Sequence, residues 1–212
     1  FGRQGFSWMI GCFTKVVNVN GKDHYETTKY IAIVDQTPEH GIKKQDQSMV
    51  YSIMTKMIEH YKEANDDITR LYIKSDNASN FKNEMVMSVL HDLKVESKQP
   101  GGQALTVANY MFNSAGDGKD ICDITAANIN AKAEKEVNAG DCNTDTPANF
   151  AKAIALGNGV INSVLMLGPI VAPKEGQKKL EKKLVPSISK IHDFEMKPEG
   201  AKVRHVCKVG KG

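Results

Sequence analysis

The sequence predicts an α/β layered domain followed by a small α+β extension. Two runs rich in β-branched and aromatic residues flank Asn20-Gly21, a pair that favours a tight hairpin turn. Segments of helical and strand periodicity then alternate along the chain. Past residue 140 the elements shorten and are punctuated by Gly and Pro, which sets residues 1–140 as the first domain and 141–212 as the extension.

The first strands are "FSWMIGCFTKVV" (6–17) and "TTKYIAIVD" (27–35), joined through "NVNGKD". From Gln45 to Tyr61, apolar residues at Met49, Val50, Ile53, Met54, Met57, Ile58 and Tyr61 fall on one helical face. "TRLYIKS" (69–75) is a short strand, and Phe81, Met85, Val86, Val89, Leu90 and Leu93 trace a second helical stripe. "PGG" at 100–102 breaks the chain before the strand "LTVANYMF" (105–112). "GDGKD" turns it into a polar, Ala-rich helix ending near Asn138.

In the extension, Thr146-Pro147 opens a helix that Gly157 or Gly159 closes. "GVINSVLMLGPIVA" reads as a strand and "KEGQKKLEKKL" as a basic helix. "HDFEMKPEGAKVRHV" reads as a hairpin turning at Pro198-Glu199-Gly200. Internal repeats are absent.

With 212 residues, 41% apolar and 25% charged, the composition is that of a water-soluble globular protein. Apolar runs stay well short of the roughly 18 residues of a membrane span, and "FGRQGFSWMI" lacks the features of a signal peptide. Beginning inside a strand without Met, the chain reads as a piece of something longer. Cys12, Cys122, Cys142 and Cys207 form no C-x-x-C pair, which argues against a zinc finger and for reduced, intracellular thiols. The net charge of +3 permits nucleic acid as a partner without requiring it.

Acidic residues carry the chemical signal. Asp76 directly follows a strand, at the end where open α/β sheets place ligands. Asp117, Asp120 and Asp123 recur every third residue in "NSAGDGKDICDITAAN", and on a helix Asp120 and Asp123 share a face. Lys119 is placed to meet a phosphate, and the flanking glycines let backbone approach a substrate. Carboxylates that converge repel unless a cation lies between them, the arrangement of two-metal phosphoryl-transfer sites. The bland alternative is a cap, the commoner role of Asp at a helix start.

"SDNASNFKN" (75–83) followed by "GDGKDICD" (116–123) resembles the paired signature of transposon-derived proteins with a DDE-type, RNase H-like domain. "FGRQGFSW" (1–8), "VNAGDCNTDTPANFAKAI" (137–154) and "ISKIHDFEMKPEGAKVRHVCKVGKG" (188–212) resemble the same group in the same order, so the likeness spans nearly the whole chain. It implies an RNase H-like mixed sheet, three strands antiparallel and two parallel, flanked by helices, with 69–75 central and parallel to 105–112. It implies two Mg2+ or Mn2+ ions held by acids at strand ends. The second acid maps to Asp76 and the third to Asp123, with Asp120 as runner-up. The first belongs on an opening strand before "FGRQGFSW"; Asp35 is the strand-end substitute within this sequence.

The resemblance thus implies transposase-type cleavage or strand transfer on DNA by the intact parent, in the nucleus, with little or no activity from this piece alone. DNA is the implied partner, a membrane is not, and self-association is left open. Lys82, Asn83 and Lys119 are the candidate DNA contacts, against a solvated helix turn. The Lys178, Lys179, Lys182, Lys183 run is either a phosphate-contacting stripe or a solvated face. Trp8 is expected in the core rather than as a base-stacking platform, and Cys122 as buried structure. Two rival readings stand beside the transposase: a non-catalytic relic that binds DNA or a protein, and a metal-dependent exonuclease.

Overall fold

The structure is a computed structural model that describes residues 6–35, 47–76, 78–113, 120–140, 142–156, 159–167 and 193–204. Its elements are β1 (Phe6–Val19), β2 (Lys22–Asp35), α1 (Gln47–Ala64), β3 (Arg70–Ser75), α2 (Glu84–Asp92), β4 (Lys94–Val95) and β5 (Leu105–Phe112). There follow α3 (Ile121–Asn138), α4 (Pro147–Ala155), β6 (Ser163–Leu167), β7 (Asp193–Lys197) and β8 (Gly200–Arg204). The α/β class expected from periodicity is found, as two mixed sheets flanked by helices. The basic segment 174–184 lies outside the described residues. Two compact units interleave along the chain: Phe1–Gln45 with Lys119–Ile170, and Asp46–Gly118 with Val171–Gly212.

In the first unit β1 and β2 form a long hairpin, in register from Phe6↔Asp35 to Val19↔Lys22. Its turn works because Asn20 and Gly21 sit at φ 54° and 78°, the left-handed pair that a two-residue hairpin needs. β6 joins β2 in parallel, giving the order β1-β2-β6. Ile31 and Ile33 of β2 meet Ile129 and Ala133 of α3 and Phe150, Ala153 and Ile154 of α4 in one apolar cluster. Trp8 packs there as expected of a core residue, 5.9 Å from the Phe150 ring.

In the second unit β5 is the hub. β3 lies parallel to it, β4 and β7 antiparallel, and β8 completes a hairpin with β7. All seven residues of the expected α1 stripe are buried, between 0% and 8% exposed. α2 begins only at Glu84, so its buried side chains are Val86, Met87 and Leu90 rather than the whole longer stripe. Gly102 explains the "PGG" break, because a Cβ there would stand 1.9 Å from Ser97 Oγ.

Two expectations from the resemblance need correcting. The described strands form two sheets rather than one mixed sheet, with the antiparallel hairpin β1–β2 in the first and the parallel pair β3/β5 in the second. Among the described strands β3 pairs with β5 alone, so it ends its sheet instead of lying at the centre. Its alternation carries the reason: Arg70, Tyr72 and Lys74 are exposed, and charged side chains are how natural sheets protect an edge.

The β3/β5 pair is anchored by Lys62 at the C-terminal end of α1. This side chain is 1% exposed, yet its ammonium donates to the backbone oxygens of Asp66, Ile68 (3.1 Å) and Gln103 (2.9 Å). Asp66 Oδ1 lies 3.4 Å from the same nitrogen, and Ser97 Oγ donates to Asp66 Oδ2 at 2.6 Å. The Ser97 hydrogen bond, then the Lys62 charge, hold the Asp66 carboxyl below the usual range against some desolvation. That stabilisation is complete above the ordinary aspartate pKa and is lost as pH falls through the lower folded value.

Lys62→Met should cost about 3 kcal/mol or more in urea unfolding, since it strands three carbonyls of two loops. Lys56→Met, at an exposed pair with Glu59, should cost under about 0.5 kcal/mol. Equal losses for the two would show that the buried ammonium anchors nothing.

Candidate functional site

Asp76 stands one residue beyond β3, exposed, where its backbone is reached by the Ser75 hydroxyl at 3.0 Å. Its Oδ1 accepts the Ala78 backbone N–H at 3.0 Å, closing an Asx-type turn. Ser75 Oγ is also 3.0 Å from the hydroxyl of the buried Tyr110 on β5. Burial raises the Tyr110 pKa, the Ser75 hydrogen bond opposes it, and the Asp76 charge adds to it. The carboxylate therefore sits in the electrostatic reach of a buried phenol at the C-terminal end of the parallel pair.

The two candidate DNA contacts that follow are already engaged. Lys82 is 8% exposed, with its ammonium 5.2 Å from the centre of the Phe112 ring, and burial lowers its pKa. That places a cation–π contact where a phosphate contact was expected. Asn83 is the N-cap of α2: its Oδ1 accepts from Val86 N at 2.9 Å, and its Nδ2 donates to Asn80 O at 2.7 Å.

The other acids belong to the first unit. Asp120 caps α3 and accepts Cys122 N–H at 2.9 Å, while Asp123 Oδ2 accepts the Asp120 N–H at 3.2 Å. This reciprocal capping box satisfies amides at the helix start that no turn of the helix can reach. The spacing of three that placed two carboxylates on one face is thus the spacing of a cap. Asp35 ends β2 opposite Phe6; its side chain, together with Asp117 and Lys119, lies outside what is described, as does the run 178–183. Among the described residues no three His, Cys, Asp or Glu side chains gather into a metal cage. Asp76 belongs to the second unit and Asp123 to the first. No helix among the described residues is long and apolar enough to cross a membrane.

Two features escaped the sequence reading. The buried ammonium of Lys62 has no sequence signal, because a Lys in the last turn of a helix is ordinarily a solvated partner of the helix dipole. Cys122 is half-buried as expected, but it faces another thiol. Thr125, one turn further along α3, has its Oγ1 3.9 Å from the Cys12 sulfur on β1, and both cysteines are free and half-buried. The Cys122 contact, helped by Thr125 and Lys29 and opposed by burial, lowers the Cys12 pKa to about 7. The same contact and burial raise that of Cys122.

A family model described as a domain of unknown function, DUF8701, matches residues 4–205. The chain belongs to that family. No curated protein matches it, and neither does any solved structure. The DUF8701 match takes in both compact units, so hairpin, parallel pair and capped helices are parts of one family domain.

Asp120→Ala should cost about 1 kcal/mol in urea unfolding, as for a helix N-cap, and Asn83→Ala a similar amount. Asp76→Ala, in a turn rather than at a helix start, should cost less than either. A neutral Asp120→Ala would remove the capping role and leave that carboxylate free for other work.

Proposed function

We propose that this chain is the RNase H-like domain of a transposase-type protein that acts on nuclear DNA, and that the 212 residues alone do not cleave it. The observation that carries the reading is the β3/β5 pair. β3 lies parallel to β5 and runs out directly into Ser75-Asp76. The motif resemblance attaches the second acid of a DDE site to that junction and the third to Asp123, at the start of α3.

The edge position of β3 counts against this reading unless a further strand adds to it. An RNase H-like sheet needs a second neighbour for β3 on the side away from β5, and the same strand would bring the first acid. In such a parent the acids at the element ends would hold Mg2+ or Mn2+, and the chemistry those ions would supply is activation of water or a DNA 3′-hydroxyl. The residues at hand can cap, orient and bind. An exonuclease on the same fold would need the same ions and has no separate support.

One observation favours the second reading, a non-catalytic module that binds DNA or a protein. Asp76, Asp120 and Asp123 each accept a backbone N–H, so each already has a structural task. The readings separate in a supercoiled-plasmid assay with Mn2+. Under the proposed reading the 212-residue chain gives no nicking above background. A version lengthened upstream by the strand that carries an Asp nicks, and loses that activity with Asp76→Ala. Inactivity of both would favour the binding module. Robust cleavage by the 212-residue chain, abolished by Asp76→Ala, would overturn the claim that another strand is required.

A further inference from the structure

We propose that the exposed face of the β3/β5 pair is a stacking platform for a single-stranded nucleic acid, with a base laid on the Tyr72 ring and the flanking phosphates held by Arg70 and Lys74. Side chains alternate across a strand, so these three residues of β3 stand on one face, successive ones about 7 Å apart. Tyr72, in the middle, is 63% exposed. Across the ladder Arg70 faces Thr106, Tyr72 faces Asn109 and Lys74 faces Met111. Met111 is itself exposed and widens the apolar ground beside the ring.

Charge selects the partner. Among the described residues neither Arg70 nor Lys74 has an acid within ion-pair reach. The acids on this face lie two strands away on β7 and are already engaged. Asp193 Oδ1 accepts from Asn109 Nδ2 at 2.7 Å, and Glu195 lies 3.9 Å from the Lys197 ammonium. β8 sets Arg204 and Lys202 opposite the same two acids. The uncancelled charge on the face is therefore positive, and on β3 it brackets an aromatic ring.

Charged side chains alone would protect a sheet edge, and a ring held out in water between them adds nothing to that protection. Aromatic rings bind single strands through their faces, which any base can cover, while cations beside them take the phosphates. A duplex keeps its bases stacked on one another and away from the ring. An acidic peptide would meet the same cations but offers the ring no flat partner. Such binding goes beyond the proposed function, because it uses the face of β3 rather than its end and needs neither a metal ion nor cleavage.

The test is fluorescence anisotropy of short labelled oligothymidylate and oligouridylate with the 212-residue chain in EDTA. No metal-dependent step occurs there, so this result and the plasmid assay fail independently. Both oligonucleotides should bind, and a duplex of equal length more weakly. Tyr72→Ala should weaken binding about tenfold or more, and Tyr72→Phe, which keeps the ring, should leave it nearly unchanged. Arg70→Gln and Lys74→Gln should each reduce the slope of log affinity against log salt by about 0.7. Lys56→Gln, on exposed α1 surface, should change nothing. In the unaltered chain, photocrosslinking to an oligonucleotide that carries 5-iodouracil should label the peptide containing Tyr72. The proposal is overturned if neither oligonucleotide binds at low salt, or if a folded Tyr72→Ala chain binds as well as the unaltered one. Crosslinks confined to other peptides, or tighter binding of polyglutamate than of either oligonucleotide, would overturn it too.

Discussion

The second unit turns on one buried ammonium. Lys62 gathers carbonyls from the segments that leave α1, enter β3 and enter β5, and so fixes where the two parallel strands start. Removing an ammonium from water costs several kcal/mol, and it is tolerated only where its donors and charge are answered. Three oxygens and the Asp66 carboxylate answer it here. Parallel strands cannot be joined by a tight turn, so their register must be set by something outside the ladder. The apolar stripe of α1 presses the helix onto the unit, and the last turn of that helix sets the strands. The position of Asp76 follows from this: it is wherever β3 runs out.

Much of this architecture was legible in the sequence because it rests on periodicity. The α1 stripe, the Asn20-Gly21 turn, the Thr146-Pro147 helix start and the turn at Pro198-Glu199 are local patterns, and each appears where the pattern puts it. What the sequence hid is non-local. Nothing in "YIKS" distinguishes an edge strand from a central one; only the pairing of β3 with β5 alone among the described strands does. Lys62 looks like any basic residue in a last helical turn. Cys12 and Cys122 look like separate thiols until the fold sets β1 beside α3.

The candidate site shows the same division between local and distant information. Spacing identified Asp76, Asp120 and Asp123 as special, and the structure gives each a backbone amide to hold. A carboxylate at a helix start serves the orphan amides and the helix dipole whether or not it also holds a cation. Capping and ligation draw on the same residue type at the same kind of junction, so a motif alone cannot separate them. Lys82 is a comparable case: a basic residue just past the motif, whose charge lies against Phe112 instead of facing outward. The DNA reading therefore rests on the motif resemblance, and it asks for a sheet topology that the described strands do not complete.

That topology has one exposed requirement, the side of β3 away from β5. Amide hydrogen exchange followed residue by residue along Arg70–Ser75 tests it most directly. In the 212-residue chain the β3 amides directed at β5 should exchange slowly, and the alternate amides, on the open edge, quickly. In a version lengthened upstream of Phe1 the open-edge amides should become as protected as their neighbours, because β3 then lies inside the sheet. Open-edge amides that stay unprotected in the lengthened protein would leave β3 an edge strand and contradict the RNase H-like account.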